Sequence, residues 1–244
     1  MQSENTQSES SIWRRLPHYY LRHRYSVLFA SLLLTLVISP IISELQQSGS
    51  LIEVLLFVSL ATASIGAGTP RERTRLLLFV VVTALLRFLG RWLHVNHADT
   101  LSTLLWLTLG VAAAVRCLRF ALLGRRIDVE HLAAALSAYL LAGHFFGIAY
   151  WQVSTLWPAS FAASGVATSL DLQYCVYFSF VTLATLGYGD IVPLGPSARG
   201  LAVGEAILGQ LYLAVLVARL VGAARSSSLS KSQEESLHDP QNRD

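Results

Sequence analysis

Thr185-Leu186-Gly187-Tyr188-Gly189-Asp190 is the stretch on which the reading of this chain turns. Gly187 and Gly189 lack Cβ atoms, so they can take the positive φ values that turn successive carbonyls toward a common axis instead of alternating them. Thr185 adds a hydroxyl acceptor at one end of that row. Asp190 puts a negative charge at the other end, where it raises the local cation concentration. Tyr188 is expected to face away from the row and to wedge against Tyr177 and Phe178 of the preceding segment. The hexapeptide lies between a run of short-helix length, Leu170 to Ala184, and a last apolar run in which Glu205 is the single charge between Gly200 and Arg219.

Composition places these residues in a membrane. Hydrophobic residues make up 53% of the 244-residue chain and charged residues only 14%, which excludes an ordinary soluble domain. Crossing the bilayer core as a helix takes about 20 apolar residues. Six segments qualify: Tyr25 to Ile42, Leu51 to Ala67, Leu76 to Leu93, Leu101 to Leu118, Leu132 to Val153 and Gly200 to Val221. Leu170 to Ala184 is too short and too polar to span and suits a re-entrant helix, tolerated only where protein or a water-filled cavity surrounds it. The first twenty residues lack the pattern of a cleaved signal. Trp13, Tyr19 and Tyr20 interleave there with Arg14, Arg15, Arg22 and Arg24; that mixture suits either the inner headgroup layer or a solvated tail.

The segment from Leu132 to Gly222 resembles the potassium-channel pore family, whose filter is typically Thr-Val-Gly-Tyr-Gly. In that family four such loops point backbone carbonyls at a dehydrated ion. The resemblance implies a homotetramer with an ion-binding selectivity filter of Thr185, Leu186, Gly187, Tyr188 and Gly189, in which carbonyls of Thr185, Leu186, Gly187 and Tyr188 hold K+ and Asp190 stands at the outer mouth. It implies no cofactor, with potassium as the permeant ion. Tyr177 to Ala184 look like the family's pore helix, so Tyr177, Phe178, Val181 and Thr182 are expected to support the filter. Gly209, ten residues after Arg199, falls where the family commonly has a hinge in its inner helix. A mid-helix glycine costs about 1 kcal/mol relative to alanine, and close helix packing through a small residue is the other reason for one there. Two departures stand out. Leu186 replaces the usual valine, and Val181 stands where some members carry a glutamate that braces the filter aspartate, so Asp190 needs another partner.

Orientation follows separately from the cations. With the Asp190 end outside and six spans, both termini lie in the cytoplasm, and 15 of the 18 Lys and Arg residues fall inside against Arg87, Arg91 and Arg199 outside. The positive-inside rule expects that asymmetry. The four leading spans sit where six-span channels carry a voltage sensor, yet the fourth lacks a ladder of arginines. Arg116 and Arg119 lie at its cytoplasmic end, and Arg125 and Arg126 follow in the linker. Each charge moved across the field yields about 2.3 kcal/mol per 100 mV, so weak or no voltage dependence is expected. Arg87 reads as snorkelling to the outer interface or as a partner of Glu53.

Glu205, two turns into the last span, is expensive there unless it faces protein or water. Bracing against the pore helix and attraction of cations are the two roles open to it, and a pair with Arg199 is disfavoured by helical spacing. His94, Asn96, His97 and Asp99 form an external cluster that a metal would need further ligands to use. His144 reads as a packed helix residue, and Cys117 and Cys175 as unpaired thiols at different depths. No catalytic or nucleic-acid-binding pattern appears.

The expected fold is thus an all-α integral membrane protein with six transmembrane helices, a re-entrant pore helix and a selectivity-filter loop. Residues 1–24 form an interfacial segment, 25–126 a degenerate voltage-sensor-like domain, 127–222 the pore domain and 223–244 a disordered cytoplasmic tail. The expected function is passive, potassium-selective conduction in the cell membrane, with membrane lipids as further partners and no enzyme activity. A non-selective cation channel and a non-conducting scaffold or regulatory subunit are the alternatives.

Overall fold

The computed structural model describes residues 23–46, 57–59, 70–92, 98–123 and 128–238. Its elements in chain order are α1 (Arg24–Gln46), α2 (Pro70–Trp92), α3 (Ala98–Leu123), α4 (Val129–Leu156), β1 (Phe161–Ala163), β2 (Val166–Thr168), α5 (Leu172–Leu183), β3 (Ile191–Pro193) and α6 (Pro196–His238). Four stretches are long and apolar enough to cross a membrane: Arg24–Ile41, Ser102–Leu123, Val129–Leu156 and Pro196–Ala223. They coincide with the first, fourth, fifth and sixth expected spans, so the chain is a helical, multi-pass membrane protein.

The other two expected spans fare differently. The third falls within α2, whose apolar stretch narrows to Thr74–Leu86 because Arg71, Glu72, Arg73 and Arg75 fill its first turns and Arg87 and Arg91 its last. The second lies outside the described residues apart from the helical 57–59. Residues 1–22, Glu53, His94, Asn96, His97, Arg125 and Arg126 also lie outside them, as do the side chains of Arg87 and Asp99.

Two expectations need correction. The fold is not purely helical, because β2, β1 and β3 form a three-stranded antiparallel sheet in that order. Its hairpin is local: Ser164 and Gly165 both have positive φ, 50° and 81°, which matches the twist of a two-residue turn between antiparallel strands. The tail expected to be disordered is helical through His238. Residues 223–238 contain neither glycine nor proline to interrupt it.

The two larger apolar clusters among the described residues gather around α4 and α5. Leu28 and Leu32 of α1, Trp106 and Leu109 of α3, and Leu141, Phe145 and Ile148 of α4 form the first. Gly110 is the seam of that cluster, because a Cβ there would lie 1.8 Å from the Phe145 ring. The second cluster surrounds α5 and joins Tyr150, Phe161, Cys175, Phe178 and Ile191. At the other end of α4, Asp128 caps the helix by accepting from His131 N at 3.0 Å. Glu130 accepts from Tyr25 N at 3.0 Å and from the Ser26 hydroxyl, a carboxylate at the start of α1 where helix N–H groups lack partners.

Candidate functional site

Helix α5 starts on a side-chain cap and ends in a backbone motif that generates the hexapeptide's conformation. Asp171 accepts from Tyr174 N at 3.0 Å, as an N-cap aspartate does. At the other end Thr185 N donates to Thr182 O at 3.0 Å and Leu186 N to Val181 O at 2.9 Å. This pair of bonds is the Schellman motif, whose residue just past the helix takes the left-handed conformation and is usually glycine. Here that residue is Thr185, at φ 57°. The expected filter thus begins as the left-handed exit of α5, and the expected support residues Val181 and Thr182 act through their carbonyls.

The left-handed conformation then recurs at every second residue, with Gly187 at φ 58° and Gly189 at φ 79°. A Cβ on either glycine would meet nothing within 4 Å, so backbone conformation and not lack of space calls for glycine. Both glycines thus take the positive φ that their lack of a Cβ allows, and Thr185, a β-branched residue for which positive φ is rare, takes it too.

Asp190 is held from two sides. Tyr177 Oη donates to its Oδ2 at 2.9 Å, which supplies the partner that Val181 cannot. Its carbonyl accepts from Ser164 N at 2.9 Å, so the end of the loop is tied to the β1–β2 turn while β3 pairs with β1 directly after it. Arg199 Nε donates to Pro193 O at 3.1 Å.

Tyr188 departs from expectation in part. It lines a cavity of about 610 Å³ together with Tyr177, Val181, Leu186, Asp190 and His144. Phe178 faces the opposite way, into edge-on contact with Tyr150 at 4.9 Å and Phe161 at 5.7 Å. Consecutive residues on a helix do not share a face, so a wedge on both Tyr177 and Phe178 was not available. His144 is buried, with Nδ1 2.8 Å from Leu140 O and its ring edge-on to Phe180 at 5.3 Å, which makes it the packed helix residue expected. Cys117 and Cys175 are buried free thiols.

Glu205 reaches α5 from α6. Its Oε2 accepts from Tyr150 Oη at 2.7 Å, its Oε1 lies 2.5 Å from Ser179 Oγ, and Ser179 Oγ lies 2.7 Å from Gly143 O. Of the two roles open to Glu205, the contacts are those of bracing. Tyr139 Oη adds a bond to Leu183 O at 3.2 Å, and Tyr212 donates to Ala135 O.

Three glycines let the helices come this close. A Cβ on Gly143 would sit 2.6 Å from the Phe180 ring, one on Gly147 2.7 Å from Val176 Cα, and one on Gly209 2.8 Å from Leu183 O. Gly209 therefore has a packing reason to be glycine, while Gly204 has open space at that point. Gly143 and Gly147 were overlooked in the sequence, although their four-residue spacing is that of a small-residue helix face. Ser179 and Tyr150 were overlooked too; nothing in one chain's letters marks them. Among the described residues no group of three or more His, Cys, Asp or Glu side chains could hold a metal.

A family model described as "Ion channel" matches residues 132–226, which run from α4 through the hairpin, α5, the loop and most of α6. The protein LctB of Bacillus caldotenax is 32% identical over 39% of this chain and 74% of its own length. The voltage-gated potassium channel Kch of Escherichia coli is 28% identical over 48% of this chain and 27% of its own length. The inward rectifier potassium channel Kirbac3.1 of Paramagnetospirillum magnetotacticum is 35% identical over 32% of this chain and 24% of its own length. The chain thus spans about a quarter of the length of those two channels. No solved structure matches it. With a capped short helix, a left-handed loop and a flanking apolar helix all inside the matched segment, the chain belongs to the potassium-channel pore family and is an ion channel, not an enzyme.

Proposed function

We propose that the chain is one quarter of a potassium-selective pore. The observation that carries this reading is the alternation of positive φ at Thr185, Gly187 and Gly189 directly after α5. Residues of opposite handedness in alternation keep successive carbonyls on one side, and carbonyls of Thr185, Leu186, Gly187 and Tyr188 then replace the ion's water shell, with transfer between adjacent sites by ion–ion repulsion. A single chain supplies one wall of such a row, so four copies surround it. Exposure favours that assembly: Leu186 and Tyr188 are 57% and 67% exposed in one chain, and apolar residues Val203, Ile207 and Leu211 of α6 face outward. The helix α5 is the re-entrant pore helix, α4 the outer helix and α6 the inner helix of a six-span subunit.

Asp190 concentrates cations at the outer mouth, and the cation asymmetry of the loops puts both termini in the cytoplasm of a cell membrane. Conduction is passive and depends weakly or not at all on voltage, since α3 carries Arg116 and Arg119 only near its end. In this reading Gly209 bends α6 against the end of α5 when the pore opens.

Purified protein in liposomes tests the reading through potassium and sodium gradients, with Tyr188→Ala as the control. Potassium flux well above sodium flux, lost in the variant, is the expected result. Equal fluxes turn the reading into a non-selective cation channel. No flux over a range of pH and voltage, together with no potassium-dependent thermal stabilisation, leaves a non-conducting scaffold.

A further inference from the structure

We propose that Glu205 is a positioning residue that works in its protonated, neutral form, as the middle of one directed hydrogen-bond chain that fixes the pore helix between the outer and inner helices. The inference deepens the pore reading above and rests on it for its functional arm.

The case is a count of protons. Ser179 Oγ lies 2.7 Å from Gly143 O and 2.5 Å from Glu205 Oε1. Oxygens that close share a hydrogen, and because a single hydroxyl hydrogen serves two acceptors only as a weaker three-centre bond, two full-strength contacts need two hydrogens. The Ser179 hydroxyl has one, and the Gly143 carbonyl has none to give. The second must sit on Glu205. The Tyr150 hydroxyl accounts for the remaining contact, donating to Oε2 at 2.7 Å. Every donor and acceptor is then used once: Tyr150 Oη–H to Oε2, Oε1–H to Ser179 Oγ, and Ser179 Oγ–H to Gly143 O. An ionised carboxylate leaves one of the two serine contacts without a proton.

Surroundings agree with the count. Glu205 and Ser179 are fully buried, as is Tyr150, where an uncompensated charge is costly. From α4 the titratable groups facing Glu205 are Tyr150 and, more distantly, Tyr139; from α5, Cys175 lies behind Tyr150. His144 on α4 is turned to Leu140 O and Phe180, and Arg199 on α6 to Pro193 O. None of these neutralises a carboxylate. Ionising Glu205 thus opens the link between α6 and α5, and α5 is the helix whose last carbonyls hold Thr185 and Leu186 in place.

Infrared spectroscopy of the full chain in lipid reads the proton without any need for conduction. The wild type should keep a protonated-carboxyl stretch at about pH 6, where exposed carboxylates are already ionised, and Glu205→Gln should lack it. Absence of that band in the wild type overturns the assignment, whether or not the variant folds. Potassium flux reads the role. Wild-type flux should fall on the alkaline side, Glu205→Gln should conduct without that fall because its amide can donate to Ser179 and accept from Tyr150, and Glu205→Ala should lose flux at all pH values. A Glu205→Gln profile with the same alkaline fall as the wild type overturns the positioning role. Failure of the wild type to pass potassium at any pH overturns the pore reading, while the infrared band still decides where the proton sits.

Discussion

Leading helices and pore segment are built by different means, although both are apolar helices. Within α1 and α2 the threonine hydroxyls turn back on their own helix, as Thr35 does to Ser31 O and Thr83 to Phe79 O and Val80 O, and α1 is tied to α4 at its first turn, through Ser26 and Glu130. Leu28, Leu32 and Val80 are buried, but many other apolar side chains of α1 and α2 face outward, with Leu34, Val37, Leu78 and Leu85 more than half exposed. Around α5 the bonds instead cross between elements: Tyr139 to Leu183 O, Ser179 to Gly143 O, Tyr150 to Glu205 and Tyr177 to Asp190. Glycines seat it on α4 and α6. A spanning helix needs only to be apolar and long, whereas a helix that ends in a row of carbonyls must be placed to a fraction of an ångström.

The comparison breaks if crowding the pore seam is harmless. Gly147→Ala puts a Cβ 2.7 Å from Val176 Cα, a backbone atom that cannot rotate away. A loss of about 1–3 kcal/mol is expected from overpacking, read as a lowered midpoint of thermal unfolding in detergent, with potassium flux reduced alongside it. Gly187→Ala comes next. Nothing crowds its Cβ, so its cost is the left-handed backbone alone, about 1–2 kcal/mol. Stability should change less than in Gly147→Ala while potassium flux is lost, because the strained residue lies in the row of carbonyls itself. Equal effects of the two on flux and stability would mean that packing and backbone conformation are not separable here.

The same contrast explains what could be read from the letters. Apolar length is legible, so four of the spans and the boundaries of α5 follow from hydropathy. Gly187 and Gly189 are legible because glycine is the residue that reaches positive φ without penalty. Thr185 is not, since a left-handed threonine contradicts local preference and is set by the bonds to Val181 and Thr182. The hairpin was overlooked because its strands have three residues each, too few for alternation to show, and only the Ser164–Gly165 pair hinted at a turn. Glu205 announced itself as a charge within an apolar run, but Tyr150 and Ser179, its partners 55 and 26 residues away in sequence, are ordinary residues until the helices pack. Asp190 had to find a donor once Val181 was seen in place of an acid, yet only the helix geometry selects Tyr177.

A smaller effect sharpens the comparison from the other side. Leu85→Ala in α2 removes a side chain that is 59% exposed, and a change within about 0.5 kcal/mol is expected for a site without a buried contact. Thermal unfolding in the same detergent checks it. A loss comparable to that of Gly147→Ala would show that another surface covers α2 in the assembled protein.

The junction between the two regions gives the smallest effect, and it depends on pH. Asp128 caps α4 and its Oδ1 lies 2.6 Å from His131 Nδ1. That side-chain hydrogen bond, with the backbone bond from His131 N, holds the Asp128 carboxyl below its ordinary value of 3.8. A carboxylate depressed in the folded state contributes stability that is present above its unfolded value and disappears as pH falls through the folded one. The contribution should therefore be constant from about pH 7 down to about pH 5 and fade below about pH 4. Asp128 is two-thirds exposed, so solvent screening keeps the ion-pair part small, and the loss in Asp128→Ala at neutral pH should be that of a cap, about 0.5–1 kcal/mol. Melting curves of wild type and variant should differ by that amount at neutral pH and approach one another at acid pH. A difference that stays unchanged down to about pH 3 would show that the ionised carboxylate adds nothing to the cap.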